Sequence, residues 1–430
     1  MADHRQPPKT GALLRAYLLA VRGLGPLLPE YLRRRLKRGK EDPERWREKL
    51  GVASLPRPAG PLVWFHAVGL GEVMALRGLI TAMGQVRPDL SFLVTSSARS
   101  SALAFAANTP ARTQHQFLPL DAPGPVARFL THWQPDLSVW AEQDLWPGLV
   151  VATHKRGIPL ALINARMNAR AFGARARYRS LYTDLYARFA HISAQDADTA
   201  QHLLALGAVD VGVTGSLKSG AGPLADQPEN RAALVTALAG RKLWCAASSH
   251  RADETAAIAA HRKLFAQDPS RLLIIAPRDP ARRDDIMAAC TLADLSVAVR
   301  SEGKMPGPMH AIYLADTFGE MGLWYRLCPV ALIGGGFGNT GGHNPWEAAH
   351  LGCAVLYGPN VANFTLDYAA LHGAGAALEI VGATDLIEAL NDPKLTDQAA
   401  RAKTLADQGM AGMDRLCTTL LALLPHTNNA

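Results

Sequence analysis

The alternation of short apolar runs with helical patterns predicts an α/β protein made of two doubly wound, Rossmann-like domains. Three observations carry that expectation. The chain has 430 residues, too many for one ordinary core and suited to two domains of roughly 200 residues. In its first half "LVWFHAV", "SFLVTSS", "LSVWAE" and "PLALINAR" read as strands, with "GEVMALRGLITAMGQV" patterned as a helix after the first. After "VGVTGSLKSGAGPLADQPEN", rich in Gly, Pro and polar residues, the alternation restarts with "KLWCAASS", "RLLIIAPR", "AIYLAD", "VALIGG" and "AVLYG". The restart marks a second domain and places the linker in the stretch before it.

These signals divide the chain into a basic amphipathic segment, 1–50, a first α/β domain, 51–215, a second, 216–390, and a C-terminal helical segment, 391–430. Hydrophobic residues make up 48% and charged residues 19%, which excludes global disorder. The five cysteines are scattered without a CxxC pair and read as reduced core thiols, neither a disulfide frame nor a zinc site.

The net charge of +8 is local, because the first 49 residues hold thirteen Lys and Arg against six Asp and Glu. The rest of the chain is nearly neutral, which argues against a nucleic-acid groove. Within the first segment "ALLRAYLLAVRGLGPLLPEYL" is interrupted by Arg15, Arg22, Pro26 and Pro29. A spanning helix needs about 18–20 apolar residues in a row, so the stretch is read as lying on a membrane surface. Arg33, Arg34, Arg35, Lys37 and Arg38 would meet anionic head groups there. A solvated basic helix packed on its own domain remains the alternative.

In open α/β sheets ligands bind beyond the carboxyl ends of strands, so the residues following each strand are the candidates. "LVWFHAV" ends at His66–Val68 and passes through "GLGE" to Glu72, a carboxylate able to act as a general base or simply to complement a helix dipole. "AEQDLWPGL" supplies Glu142 and "NARMNARAF" supplies Asn164 and Arg166, amide and guanidinium groups that suit an anionic or phosphorylated acceptor. In the second half Ser249, His250 and Arg278 follow strands, and Lys218 stands near the linker. Such groups at helix starts make phosphate sites, although Ser249 and Asp279 also read as N-caps.

Residues 334–342 contain six glycines. Gly336, Gly338 and Gly341 match GxGxxG, a weak signal this late in a chain. Asn344, Pro345 and Glu347 then obey the rules for a helix start. The functional alternative is that the glycines, Gly341 among them, admit a nucleotide or sugar whose hydroxyls Asn344 and Glu347 hold.

From about Leu32 to Phe364 the chain resembles the 3-deoxy-D-manno-octulosonic acid (Kdo) transferases, inner-membrane enzymes of lipopolysaccharide synthesis. The likeness is carried in order by "GKEDPERWREKLG", "WFHAVGLGEV", "FLPLDAP", "EQDLWPGL", "IPLALINARM", "VTGSLK", "SSHRADE", "PRDPARR", "DTFGE" and "GGHNPWEAAHLG". The resemblance implies a GT-B fold, two such domains facing a central cleft, and a glycosyltransferase working with inversion. The implied donor is CMP-Kdo or a related nucleotide sugar. The implied acceptor is a lipid A precursor or other glycolipid, met at an anionic membrane surface on the cytoplasmic face of the bacterial inner membrane. Glu72 matches the family's base and Glu142 its second glutamate. Lys218, Ser249, His250, Arg278, Gly341, Asn344 and Glu347 fall to the donor, and His66, Asn164 and Arg166 to the acceptor. No cofactor, metal or nucleic acid is implied.

The chain also departs from the family's pattern, which usually has Ser at the position of Gly69, Thr at Ser249, Gly at Ala252, His at Asp279 and Pro at Ala348. Two other readings follow from these departures: a GT-B enzyme with another donor or lipid acceptor, and a catalytically silent membrane-associated relative.

Overall fold

Strands buried on both faces need apolar residues at every position, and the central runs of this chain meet that demand. In β1, Leu62–His66, Leu62 and Trp64 enter the core on one side of the sheet and Val63 and Phe65 the core on the other. The computed structural model describes residues 8–106 and 109–425. Its first sheet continues with β2 Ser91–Ser96, β3 Thr113–Phe117, β4 Leu137–Ala141, β5 Leu160–Ala165, β6 His191–Ala194 and β7 Gly212–Val213. The second holds β8 Lys242–Ser249, β9 Arg271–Pro277, β10 Val297–Val299, β11 Ile312–Leu314, β12 Val330–Ile333, β13 Ala354–Tyr357 and β14 Ala377–Glu379.

Every strand pairing is parallel, in the orders β3-β2-β1-β4-β5-β6-β7 and β10-β11-β9-β8-β12-β13-β14. These are the two doubly wound domains of the expected α/β class. Each full burial of a Val, Leu or Phe side chain contributes roughly 1.5–3 kcal/mol, and β1 alone places four large apolar side chains at 0% exposure.

One compact unit runs through Ala221 and takes in the chain again from Ala411; the other is Gly222–Met410. The sequence pattern puts the break at 215/216 and reads 391–430 as a helical segment that turns back to cover the first domain; the break moves, and the return is found. Leu217 N–H donates to Asn164 Oδ1 at 3.0 Å, which ties the presumed linker to β5. The last helix, Leu395–Ala422, sends Met413, Leu416 and Leu420 into the core of the first sheet.

In the first unit the helices run α1 Ala12–Leu24, α2 Leu28–Lys37, α3 Leu70–Val86, α4 Arg99–Ala106, α5 Pro123–Trp133 and α6 Pro147–Lys155. Residues 12–37 are long and apolar enough to cross a membrane by length and composition. The run is nonetheless broken at Gly25–Leu27, and α1 is docked on the domain. Leu14 is fully buried in the first core, Tyr17 Oη donates to Asp121 Oδ2 at 2.8 Å, and Gly11 N–H donates to Asp184 Oδ2 at 2.7 Å. Its other face leaves Leu19 69% and Leu27, just beyond it, 63% exposed.

Candidate active site

A doubly wound sheet has one place where neighbouring strands send their following loops in opposite directions, and the crevice there is its ligand site. In the first sheet β1 lies between β2 and β4, so the gap beyond β1 and β4 is that point. Glu72 follows β1 in the first turn of α3, and Glu142 comes directly after β4. Gly69, the α3 N-cap, is extended at φ −89° and ψ 169°. A Cβ on residue 69 would overlap Glu72 Oε2, so glycine lets the carboxylate lie over the helix start. A side chain at this position would require the flexible end of Glu72 to move aside.

Among the described residues, buried Glu72 Oε2 has no hydrogen-bond partner, an arrangement that leaves an acceptor unsatisfied. Glu142 holds a left-handed backbone, φ 64°, fixed by its N–H donating to Ile163 O at 2.9 Å. Non-glycine residues in this region carry strain that gathers at functional sites. Asn164, φ 53°, and Ser248, φ 52°, share the conformation, at the ends of β5 and β8. Burial, followed by the Glu72 charge, pushes the Glu142 carboxyl up to about 7, against the pull of Arg166 and Lys218. A carboxyl held neutral in part by burial and by a neighbouring carboxylate can donate a proton or a hydrogen bond near neutral pH.

The fold therefore gathers Glu72, Glu142, Arg166 and Lys218 in one unit. Lys218 was expected with the donor residues and is placed here because Asn164 holds the Leu217 backbone. Asn164 is itself buried, its Oδ1 engaged by Leu217 N–H, so it positions the Lys218 loop. His66 is 1% exposed, with Nδ1 3.1 Å from Thr95 Oγ1. Among the described residues its Nε2 has no hydrogen-bond partner; it lies 3.9 Å from Asp144 Oδ2, too far for a hydrogen bond, and is the ring nitrogen left for a ligand.

In the second sheet β8 lies between β9 and β12, and Ser249, His250 and the glycine run follow those central strands. Sequence reasoning missed Asp253. Its side chain, 0% exposed, accepts N–H bonds from His250 at 2.9 Å, Gly335 at 2.7 Å and Phe337 at 3.1 Å. The spacing His250 to Asp253 is that of a capping box, and the structure completes it in both directions. This was the available signal.

His250 accepts the Asp253 N–H in that box, and its Nε2 lies 2.9 Å from His343 Nε2. The two imidazoles thus share one ring-to-ring hydrogen bond, whose direction is set by their tautomers. His343, a second residue missed from sequence, is pushed down to about 4, first by burial and then by His250 and Arg278. Ser249 Oγ donates to Glu254 Oε1 at 3.1 Å, and Glu254 in turn receives a bidentate pair from Arg282. Ser249 thus belongs to a carboxylate network.

The glycines have an internal explanation. A Cβ at Gly334 would run into Ser248 O and Ser249 Cα, and one at Gly336 into Gly358, so the chain's own backbone makes the close approach. Gly341 adopts φ +91°, a conformation that disfavours a side chain. Asn344 Oδ1 caps Trp346 N–H at 3.1 Å. Glu347 is raised, by burial first and against the hydrogen bond from Asn344 and the charge of the exposed Arg278. Asp279 accepts from Ala281 N–H at 3.1 Å; it caps a 3-10 turn, which accounts for an acid at that position.

The Glu142 shift makes a stability prediction. An unfolded Glu ionises near pH 4.3, whereas folded Glu142 keeps its proton to about 7. Between those values the folded state binds more protons, so this group's contribution falls as pH rises and is lost above about 7. Urea unfolding of the protein and of Glu142→Gln at pH 5 and pH 8 should show the variant gaining relative stability at the higher pH. Parallel pH profiles would contradict the assignment.

Comparison with known proteins adds the following. Residues 44–221 match the family model of 3-deoxy-D-manno-octulosonic-acid transferase (kdotransferase). A protein of Arabidopsis thaliana named "Probable 3-deoxy-D-manno-octulosonic acid transferase, mitochondrial" is 35% identical over 411 residues, 90% of each chain. The 3-deoxy-D-manno-octulosonic acid transferase of Bordetella pertussis is 32% identical over 418 residues, covering 91% of this chain and 96% of that one. Among solved structures, the C-terminal CMP-Kdo binding domain of WaaA from Acinetobacter baumannii aligns with a TM-score of 0.39 at 26% identity, over 44% of this chain and 97% of that one.

Proposed function

Because the chain belongs to the 3-deoxy-D-manno-octulosonic acid transferase family, we propose that it moves Kdo from CMP-Kdo to a lipid A precursor, with inversion, at the cytoplasmic face of a bacterial inner membrane. The observation that supports this most is the pairing of Glu72 and Glu142 at one switch point, where the Glu72 charge helps to raise the Glu142 carboxyl to about 7. An alcohol acceptor becomes a competent nucleophile as its proton leaves. Glu72 takes that proton, the acceptor oxygen bonds to the anomeric carbon from the face opposite the phosphate, and the carbon–oxygen bond to CMP breaks. Glu142, neutral in part near pH 7, is the hydrogen-bond donor of the pair. Arg166 and Lys218 suit a phosphorylated acceptor. Arg278 suits the departing phosphate and Glu347 a sugar hydroxyl of the donor.

Incubating the purified chain with CMP-Kdo and lipid A precursors, and resolving products by mass spectrometry, tests the reading. Addition of Kdo to a lipid A precursor is expected. Transfer only from another nucleotide sugar, or only to another lipid, would overturn the donor or acceptor assignment.

Membrane association is proposed to be peripheral. It rests on the docked α1, its exposed leucines and the basic run after it. Deleting the segment would remove Leu14 from the core, so the cleaner change is Leu19→Ser with Leu27→Ser. Burial of a leucine contributes roughly 1.5–3 kcal/mol, and the double variant should lose at least tenfold in retention on anionic vesicles. Unchanged retention would count against the peripheral reading.

A further inference from the structure

The elbow between α1 and α2 faces the start of α5 across a concavity of about 350 Å³. That size falls among small-ligand sites, roughly 300–1,000 Å³. Its wall includes Arg22, Pro26, Leu28, Pro123, Gly124 and Arg128, and among the described residues no acid lines it. Neither arginine has a carboxylate partner among the described residues. Arg128 donates through Nε at 2.9 Å and Nη2 at 2.5 Å to the Leu50 carbonyl, while its Nη1 lies beside Gly124. The Gly124 N–H stands between two prolines in the first turn of α5, where a helix offers no acceptor of its own. Outside the rim, Leu24 and Leu27 are more than half exposed. The wall is held in place because Leu14 and Tyr17 fasten α1 to the domain.

We propose that this concavity binds the phosphodiester head group of an anionic phospholipid between Arg22 and Arg128, with the acyl chains passing over Leu24 and Leu27. Guanidinium groups grip phosphate oxygens through paired hydrogen bonds, and the apolar rim gives a lipid an advantage that free phosphate cannot use. The proposal rests on the peripheral-membrane reading for the source of its ligand. It adds a discrete site to the diffuse attraction of the basic residues of α2. Seating a lipid there would set the depth and orientation of the first domain on the bilayer.

The test uses the full chain and two probes. Dihexanoyl phosphatidylglycerol, kept below its micelle concentration, is titrated calorimetrically, and inorganic phosphate is titrated in parallel. Retention is measured on phosphatidylcholine vesicles with and without phosphatidylglycerol. Arg22→Gln removes no hydrogen bond or ion pair found among the described residues and should fold normally; Arg22→Gln with Arg128→Gln removes both grips; Arg262→Gln with Lys263→Gln, two exposed residues of a helix in the second unit, removes equal charge far from the concavity in sequence. The short-chain lipid is expected to bind the native chain and the Arg262/Lys263 variant alike and to weaken about tenfold or more in both Arg22 variants. Equal affinity in all four proteins, no binding of the short-chain lipid, or phosphate binding as tightly as the lipid would overturn the proposal. Vesicle retention without short-chain binding would defeat this site and leave the peripheral reading standing. Short-chain binding without vesicle retention would support the site and defeat that reading.

Discussion

Glu72→Gln is expected to slow turnover by about 10²–10⁴-fold, the contribution of a positioned general base, while nucleotide affinity in the second unit stays unchanged. The substitution keeps size and shape. Among the described residues Glu72 Oε2 has no hydrogen-bond partner to lose, so little structural effect should accompany the chemical one. A carboxylate serving only the α3 dipole would cost at most about 1 kcal/mol of stability when neutralised, and would spare the rate. A second readout separates the two roles. The Glu72 charge helps to hold Glu142 up at about 7, so its removal should lower the Glu142 ionisation, visible as a shifted carboxyl band in infrared titration. A Gln variant that turns over at close to the native rate would remove Glu72 from the mechanism, whatever the titration shows.

The central strands were legible because both of their faces are covered, which forces continuous apolar runs. "KLWCAASS" coincides with β8. The strands that escaped notice lie at or beside sheet margins: β3, β6, β7, β10 and β14. At the margin one flank is solvated and polar residues are tolerated. β3 reads "TQHQF", with its first three residues only half-buried, and gives no apolar signal. Among site residues, those directly after central strands could be found from sequence, since strand ends locate a sheet's ligand edge. Lys218 could not be assigned to the correct unit, because the tie that holds it, Leu217 to Asn164, joins residues far apart in the chain. His343 was hidden for the same reason: only the folded chain brings it against His250. The glycine run was visible as unusual, but its cause lay in contacts with Ser248 and Gly358 that no local pattern encodes.

Asp253→Ala is expected to be among the most destabilising single changes in the second unit. The buried carboxylate accepts N–H groups of His250, Gly335 and Phe337, and so fastens the end of β8 to the glycine run after β12. Alanine leaves all three donors without their acceptor, and hydrogen bonds to a charged partner are the stronger kind. An unsatisfied buried donor costs about 1–3 kcal/mol. The His250 and Phe337 amides lie in half-buried residues and regain some water, so the expected loss is about 3–5 kcal/mol, a large share of a typical 5–15 kcal/mol stability. Asp253→Asn provides the discriminating comparison. One oxygen can still serve His250 and Gly335, which share Oδ2, while the amide nitrogen meets the Phe337 N–H donor to donor. The Asn variant should therefore fold, lose about 1–2 kcal/mol, and loosen the glycine run at Phe337. If that run shapes the donor site, calorimetry should show weaker CMP binding in the folded Asn variant, and the His250–His343 proton should change its chemical shift as the imidazole cap relaxes. Thermal unfolding of the Ala variant within about 1 kcal/mol of the native chain would show that Asp253 does not fasten the run. Native CMP affinity in the Asn variant would confine the residue to stability.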